Sequence, residues 1–241
     1  MVAAVCKHRG RILFVRLSSV MNIHKVTAFI TRGQGPETEL LIFRHPLAGP
    51  QLPAGTVEAG ETPVDAALRE GREETGLAGL VAVRELAVIS ALVSPADRML
   101  LVDSPLYAEP STASATVAID FGGGVMIDRL RRGLWVRALS ETSDWMHAAY
   151  DTFEWSQGAL ELSGSTSGWL PSDACAADVG RSLWHLACNE PALDAWTHTE
   201  DPGSPVIHKM GMELFWARLS EDIVLAGAQA DWLTAARPHL R

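Results

Sequence analysis

The spacing of apolar residues divides the chain into a strand-rich start, one amphipathic helix and a long strand-rich remainder. The runs "KVTAFITR" and "ELLIFRHP" are separated by the turn-like "GQGPET", which predicts a β-hairpin. A Gly/Pro loop, "QLPAGTVEAGET", comes next. Beyond it, Val64, Ala67, Leu68 and Gly71 fall on one face at helical spacing. This segment is therefore predicted to be a helix with one buried face.

The ends of this helix are marked by residues with known terminal preferences. Thr62 is a good N-cap residue, Pro63 suits the first helical position, and Asp65 supports the first turn. Gly76 provides the usual C-terminal stop. The predicted helix therefore runs from about residue 63 to residue 75.

The pattern changes from about residue 99. Short strand-like pieces recur with Gly and Ser between them, and all eight tryptophans lie between Trp135 and Trp232. This spacing predicts a small all-β, barrel-like module. After about residue 177, "RSLWHLA" and "MELFWARL" are two further strand candidates, and "EDIVLAGAQADWLTAA" predicts a closing amphipathic helix.

Composition excludes some classes of protein. The chain has 241 residues, 47% of them hydrophobic, which suffices for one large domain or two small ones. The net charge of −9 argues against a broad nucleic-acid surface, and no apolar run is long enough to span a bilayer. Cys6, Cys175 and Cys188 have no CxxC spacing, which favours buried thiols in a reducing compartment and a cytoplasmic location.

The first twenty residues differ in charge from the rest of the chain. Residues 1–20 carry four basic residues and no acidic one, and Met21 begins a stretch that resembles a natural chain start. We expect residues 1–21 to be an N-terminal extension or an extra edge strand. Whether residues 1–20 belong to the natural chain stays open.

The polar face of the predicted helix carries three carboxylates close together. Glu70, Glu73 and Glu74 are related by i,i+3 and i,i+4 spacing, so their side chains converge, although like charges at this spacing repel. The face is either solvated surface or lies against something positive. Carboxylate oxygens are the ligands that suit Mg²⁺ or Mn²⁺, and a bound ion would remove the repulsion.

The wider pattern around these carboxylates resembles a known motif. Gly55 is followed after five residues by Glu61, and after seven more by "REGREETGL". This resembles the Nudix box, G-x5-E-x7-R-E-U-x-E-E-x-G-U, where U is a bulky aliphatic residue. Every fixed letter matches, and Gly71 stands where an aliphatic residue is expected. The resemblance implies an α+β fold, a Nudix α/β/α sandwich with a mixed sheet.

The resemblance also implies a reaction and a set of site residues. Glu70, Glu73 and Glu74 would be metal ligands, with the backbone at Gly55 as a further ligand. Glu73, Glu74 and Arg69 would be catalytic, with Arg69 holding a carboxylate in place. The implied enzyme is a Mg²⁺-dependent pyrophosphohydrolase, a hydrolase acting on phosphorus-containing acid anhydrides. Water activated by the metal would attack phosphorus in a nucleoside diphosphate linked to another moiety.

Several assignments around this motif stay open. The general base is Glu74, Glu213, Asp97 or His208, while Glu61 is expected to organise the loop. Arg44 and His45, at the end of a strand leading into the loop, are candidates for binding a substrate phosphate, as is Glu213; the alternative is ordinary surface polarity.

A second function class also stays open, and the sequence leads to expectations about partners. The alternative to an enzyme is a non-catalytic Nudix-fold protein that binds a nucleotide or acts in regulation. The expected partner is a small nucleotide-type molecule, with no nucleic acid, no membrane and a possible homodimer.

The middle of the chain resembles a second family. The pieces "PLYAEPSTAS", "RRGLWVRAL", "DWMHAAY" and "GWLPSDA" resemble a bacterial Src-homology-3-type (SH3-like) β-barrel, with "FGGGVMID" as an inserted loop or hairpin. Trp135, Trp145 and Trp169 would form a ligand groove or fill a small core. We therefore expect a Nudix domain split between residues 22–98 and 177–241, with an SH3-like module inserted at 99–176.

Overall fold

The computed structural model describes residues 4–8, 11–15, 23–199 and 211–240, with side chains from residue 23 onward. The strands in these ranges are, in order, β1 (Ala4–His8), β2 (Arg11–Val15), β3 (His24–Arg32), β4 (Glu39–His45), β5 (Gly49–Gln51), β6 (Ala54–Thr56), β7 (Leu80–Ser90), β8 (Asp97–Leu100), β9 (Leu106–Tyr107), β10 (Thr116–Val117), β11 (Ile119–Gly122), β12 (Val125–Ile127), β13 (Trp135–Glu141), β14 (Trp145–Ser156), β15 (Ala159–Pro171), β16 (Cys175–Ala176), β17 (Gly180–Cys188), β18 (Ala195–Thr199) and β19 (Gly211–Arg218). The helices are α1 (Pro63–Thr75) and α2 (Gln229–Ala236), with short 3-10 turns at Gly35–Glu37, Ser172–Ala174 and Arg237–His239.

The first large sheet joins strands from both ends of the chain. Its main path runs β18-β19-β4-β3-β17-β7, with β5 beside β4 and β6 beside β3. β17 pairs with β3 in parallel, whereas the other pairs are antiparallel, so the sheet is mixed. The predicted mixed α+β class is confirmed, and strands after residue 177 lie directly beside strands before residue 98.

This sheet has an apolar core on each face. Leu41, Phe43 and Leu214 pack with Leu77 and Leu80, on the face that α1 covers. On the opposite face, strand residues that include Phe29, Leu40, Ile42 and Leu183 pack with α2 and the segment before it. Since side chains alternate along a strand, neighbouring residues can be assigned to one face or the other.

The middle of the chain forms a second sheet of seven strands. Its order is β10-β9-β15-β14-β13-β8-β16, and within the described residues its first and last strands do not pair. The sheet is therefore open, and the SH3-like barrel is not confirmed. The segment "FGGGVMID" forms a hairpin in which β11 pairs with β12.

The core of the middle sheet is aliphatic. It is built from Leu100, Leu106, Ile119, Leu130, Val136, Met146, Ala148 and Leu170. Trp135 is 38% exposed, Trp145 meets Tyr107 edge-on with ring centroids 5.7 Å apart, and Trp169 stacks on His147 at 4.9 Å. These tryptophans therefore lie outside the buried core, and the prediction that they fill it is wrong.

Two further features concern the start of the chain and its helices. β1 and β2 pair antiparallel as a separate two-stranded sheet, so the predicted N-terminal extension contains a hairpin of its own. Neither helix in the described part of the chain is long and apolar enough to cross a membrane.

Candidate active site

Helix α1 begins and ends where its sequence predicts. Thr62 Oγ1 accepts a hydrogen bond from the Asp65 amide at 3.3 Å, and Gly76 adopts the left-handed conformation with φ +76°. β18 secures the last turn, because Trp196 Nε1 donates to the Thr75 carbonyl and His198 Nε2 to the Glu73 carbonyl, each at 2.8 Å. The helix is therefore fixed by local caps and by a strand more than 100 residues later.

Arg69 is the centre of the polar network on this helix. Its Nε and one terminal nitrogen donate to the two oxygens of Glu61 at 3.0 and 3.1 Å. The same terminal nitrogen donates to the Thr56 carbonyl at 3.0 Å. The second terminal nitrogen of Arg69 lies 3.0 Å from Glu70 Oε1 and 2.9 Å from Glu73 Oε2. Arg69 therefore neutralises part of the repulsion between the box carboxylates and ties the loop to the helix.

The loop before the helix lies directly against two box carboxylates. Glu70 Oε1 accepts from the Thr56 amide at 3.2 Å, and Glu74 Oε2 accepts from the Ala54 amide at 3.0 Å. Between these two amides lies Gly55, where any Cβ would overlap the Glu70 carboxylate. Only glycine allows this close approach of the backbone to the carboxylate.

The environment of these groups shifts their protonation equilibria. Burial raises the pKa of Glu70, an effect that the neighbouring Arg69 opposes. The hydrogen bonds from Arg69 lower the pKa of Glu61, and those to Glu61 raise the pKa of Arg69. Glu61 therefore acts as an ionised partner of Arg69, as expected for a residue that organises the loop.

The donor set fits a hard divalent cation. Three glutamates on one helix face and a glycine backbone packed against one of them supply oxygens of the kind that Mg²⁺ prefers. Within the described residues, no three His, Cys, Asp or Glu side chains are already gathered around one point. Glu70, Glu73 and Glu74 are instead hydrogen-bonded to Arg69 and the loop amides. An ion therefore has to compete with protein donors for these oxygens.

Gly71 occupies a filled position on the buried face of α1. A Cβ there would lie 2.9 Å from a terminal methyl of Leu80 and 3.5 Å from methyls of Ile30 and Leu186. These three side chains fill the space that a bulky aliphatic residue at position 71 would use. The departure from the Nudix pattern is therefore compensated by packing and leaves the carboxylates unaffected.

The candidate substrate residues lie elsewhere on the sheet. Arg44 and Glu213 are cross-strand partners joined by an exposed ion pair of 3.5 Å. Both alternate with residues that pack against α1, so their side chains lie on the opposite face of the sheet. His45 Nδ1 accepts from the amides of Leu47 and Ala48, and burial lowers its pKa. His45 thus stabilises the turn after β4.

Of the remaining candidates for the general base, Asp97 lies in the described part of the chain and His208 does not. Asp97 Oδ2 accepts from the amides of Val93 and Ser94 at 3.1 and 2.7 Å, so it closes the turn before β8. His208 lies outside the described residues. Of the four candidates, Glu74 is the one that the structure places on the box helix, and the choice of base stays a prediction.

Sequence reasoning missed two cations beside the box loop. Lys25 Nζ donates to Thr56 Oγ1 at 2.7 Å and lies within electrostatic range of Glu70 and Glu74. Burial lowers the pKa of Lys25 to about 8. Arg132, from the middle of the chain, lines a surface depression of about 690 Å³ together with His24 and box-loop residues 57–61. No spacing signal links these residues to the box, because they are joined only by tertiary contacts.

Comparisons with known proteins agree with this geometry. Residues 21–109 match the NUDIX domain. The chain is also 41% identical over 71 residues to putative nudix hydrolase 1 of Caenorhabditis elegans. That alignment covers 28% of this chain and 19% of the relative, so the chain spans about a fifth of the length of the curated relative it matches. Both matches are to Nudix proteins, the family whose box motif residues 55–77 resemble.

Proposed function

We propose that the protein is a Mg²⁺-dependent Nudix pyrophosphohydrolase that cleaves a pyrophosphate bond in a nucleoside diphosphate linked to another moiety. The observation that carries the proposal is the intact set of box carboxylates, which lies on one turn of α1 and is tied to the loop by Arg69. Mn²⁺ has similar ligand preferences and is an alternative ion.

The chain's own residues have distinct roles in this proposal. Glu70, Glu73 and Glu74 would hold the ion. Gly55 would allow the backbone to approach the same ion as a further ligand. Arg69 keeps Glu70 and Glu73 close together although both are negatively charged. When bound, the ion would neutralise phosphate charge and activate the attacking water. Glu74 is the proposed base, because it belongs to the box and is anchored beside the loop at Ala54.

The division of the chain also remains a proposal. The pairing of β17 with β3 and of β19 with β4 supports a Nudix domain made from residues 22–98 and 177–241. The insertion at 99–176 would then carry most of the middle sheet, whose strand β8 begins at Asp97. A role for Arg44, His45 and Glu213 in binding substrate also stays a proposal; Arg44 and Glu213 lie on the face of the sheet away from α1.

The test is a phosphate-release screen with Mg²⁺, coupled to a phosphatase or pyrophosphatase as needed. The panel comprises nucleoside triphosphates, nucleotide sugars, ADP-ribose, dinucleoside polyphosphates and dinucleotide cofactors. Glu73→Gln and Glu74→Gln should each lower turnover about 10²–10⁴-fold, the usual contribution of a catalytic acid or base. Glu221→Gln is the matched control and should keep full activity, because its neighbours Leu219 and Ile223 pack on the face of the sheet opposite α1.

Two results would contradict the proposed enzymatic mechanism. Full activity in excess chelator would exclude the metal requirement. Wild-type turnover in both glutamine variants would remove Glu73 and Glu74 from the mechanism. No turnover of any substrate, together with a thermal shift on adding the same ligands, would favour the alternative of a non-catalytic nucleotide-binding protein.

A further inference from the structure

Two of the three box glutamates lie in the last turn of α1. Glu73 and Glu74 directly precede the end of the helix at Thr75. The last carbonyl groups of a helix have no amide partner within the helix, so this turn depends on groups from outside it. The Gly76 amide donates to the Arg72 carbonyl at 2.8 Å, and the carbonyls that follow need other partners. The groups that bind these carbonyls therefore also decide how firmly the two glutamates are held.

The edge strand β18 supplies donors for two of these carbonyls. Trp196 Nε1 donates to the Thr75 carbonyl and His198 Nε2 donates to the Glu73 carbonyl, each at 2.8 Å. Trp196 and His198 are two positions apart on one strand, so both side chains lie on the same face of the sheet. β18 therefore meets the end of the helix with two donors, and their carbonyl partners are also two residues apart.

The imidazole ring of His198 lies directly against Gly76, the glycine that ends the helix. A Cβ at Gly76 would lie 2.8 Å from His198 Nδ1 and 3.1 Å from Cε1, and the backbone there has φ +76°. Glycine is therefore required both for the left-handed conformation and for the approach of the ring. The end of the helix is thus shaped to admit this side chain.

Contacts with other elements fix β18 itself. Trp196 packs against the apolar core on the face that α1 covers, and its ring centroid lies 6.4 Å from that of Trp216. Trp216 Nε1 donates to the Leu193 carbonyl at 3.0 Å, just before the strand begins. Arg32 lies over the Trp216 ring at 4.6 Å and forms an ion pair with Asp194 at 2.7 Å. The two donors therefore reach the helix from a strand that the sheet holds in place.

We propose that Trp196 and His198 are positioning residues for the metal site, and that β18 thereby sets the affinity of the box glutamates for the ion. The two donors keep the last turn of α1 wound, so that Glu73 and Glu74 stay on one face with Glu70. Without these donors the turn frays more easily, because its carbonyls would bind water instead. This inference rests on the proposed function, because it assumes that the box glutamates hold an ion.

The test is a titration of metal-free protein with Mn²⁺, in which electron paramagnetic resonance measures the free ion. Trp196→Phe keeps an aromatic ring and removes the donor to the Thr75 carbonyl, and His198→Ala removes the donor to the Glu73 carbonyl. Each should raise the dissociation constant for Mn²⁺ about tenfold, a loss typical of residues that orient metal ligands. His198→Gln should recover part of the affinity, because its side-chain amide can also donate to a carbonyl.

The matched controls come from the middle sheet, where His147 and Trp169 stack with ring centroids 4.9 Å apart. Trp169→Phe and His147→Ala make the same two chemical changes on β14 and β15, which belong to the other large sheet. Both variants should bind Mn²⁺ as the wild type does. Circular dichroism would verify that each variant is folded, and Trp196→Phe, the milder change, carries the test if His198→Ala does not fold.

Each outcome decides the proposal. Unchanged Mn²⁺ affinity in Trp196→Phe and His198→Ala would overturn it, even if thermal unfolding showed lower stability, because the role would then be structural only. A wild type that does not bind Mn²⁺ would also overturn it. If turnover depends on Glu73 while Mn²⁺ affinity does not depend on β18, the enzyme stands and this inference fails. If Mn²⁺ affinity depends on β18 but no substrate is hydrolysed, the inference stands and the hydrolase proposal fails.

Discussion

The polar network of the box and the middle sheet differ in how far apart in sequence their contacting residues lie, although α1 itself is also held by β18, more than 100 residues later. In the box region, Arg69 reaches Glu61 and Thr56, and Glu74 reaches Ala54, all within about twenty residues along the chain. The middle sheet depends on more distant pairs, such as Arg98 with Glu141 and the bridge between Ser104 and Leu130. The box can be recognised from the spacing of its residues, because the contacts within it are local. The middle sheet beside it cannot be recognised in this way. Substitutions in each region can test this contrast.

The largest effect is expected at Gly55. Gly55→Ala places a methyl group where the Glu70 carboxylate lies, so Glu70 has to move. A displacement of about 1 Å in a catalytic group can cost about 10²-fold in rate. We expect a loss of this size in the proposed pyrophosphate-bond hydrolysis while α1 stays folded, measured by steady-state kinetics and circular dichroism.

The control for Gly55→Ala is a glycine with free space around it. Gly158→Ala changes a turn of the middle sheet where a Cβ would meet nothing within 4 Å, but where φ is +87°. The substitution therefore strains the local backbone without touching the box, and the activity should be kept. Unchanged activity in Gly55→Ala would show that the approach of this loop to Glu70 does not matter for the reaction.

An intermediate effect is expected at Gly71. Gly71→Leu restores the aliphatic residue of the Nudix pattern but overfills a space already occupied by Leu80, Ile30 and Leu186. Overpacking of this kind costs about 1–3 kcal/mol in the free energy of unfolding. Urea denaturation should show this loss, and a more stable Leu variant would mean that the three side chains do not fill the site.

Gly71→Ala is the matched smaller change. Its gain in helix propensity is about 1 kcal/mol, and the displaced methyl of Leu80 offsets part of it. The free energy of unfolding should therefore change by less than about 1 kcal/mol in either direction.

The smallest effect is expected from one ion pair of the middle sheet. Arg137 donates to both oxygens of Asp151 at 2.7 and 3.0 Å, and these hydrogen bonds lower the pKa of Asp151. Asp151→Asn should cost about 0.5–1 kcal/mol in the free energy of unfolding at neutral pH, since Arg137 is partly exposed. Denaturant titrations at several pH values measure this difference.

The pH dependence of this difference has a defined sign. Because the pKa of Asp151 is lowered in the folded state, the stabilisation is present above the ordinary pKa of an aspartate and disappears as the pH falls through the folded value. Asp128→Asn, at a highly exposed carboxylate, should show no such trend. A difference that persists in acid would assign the effect to something other than this charge pair.

The box and the helix that carries it were predictable from the amino-acid sequence alone. Thr62, Pro63 and Gly76 fix the ends of α1 through interactions with their own neighbours, and the glutamate spacing fixes which side chains share a face. The mixed α+β class was predicted from the resemblance of this stretch to the Nudix box, whereas apolar periodicity predicted individual strands and helices. The matched NUDIX domain rests on the same stretch of chain.

The surroundings of the box emerge only in the folded molecule. The open middle sheet, the aliphatic core that excludes Trp135 and Trp169, and the approach of Gly133 to Lys25 all depend on pairs distant in sequence. The placement of Arg44 and Glu213 away from α1 likewise depends on the register of β4 and β19. A strand's own pattern shows that it has two faces, but only its neighbours decide which face meets the site.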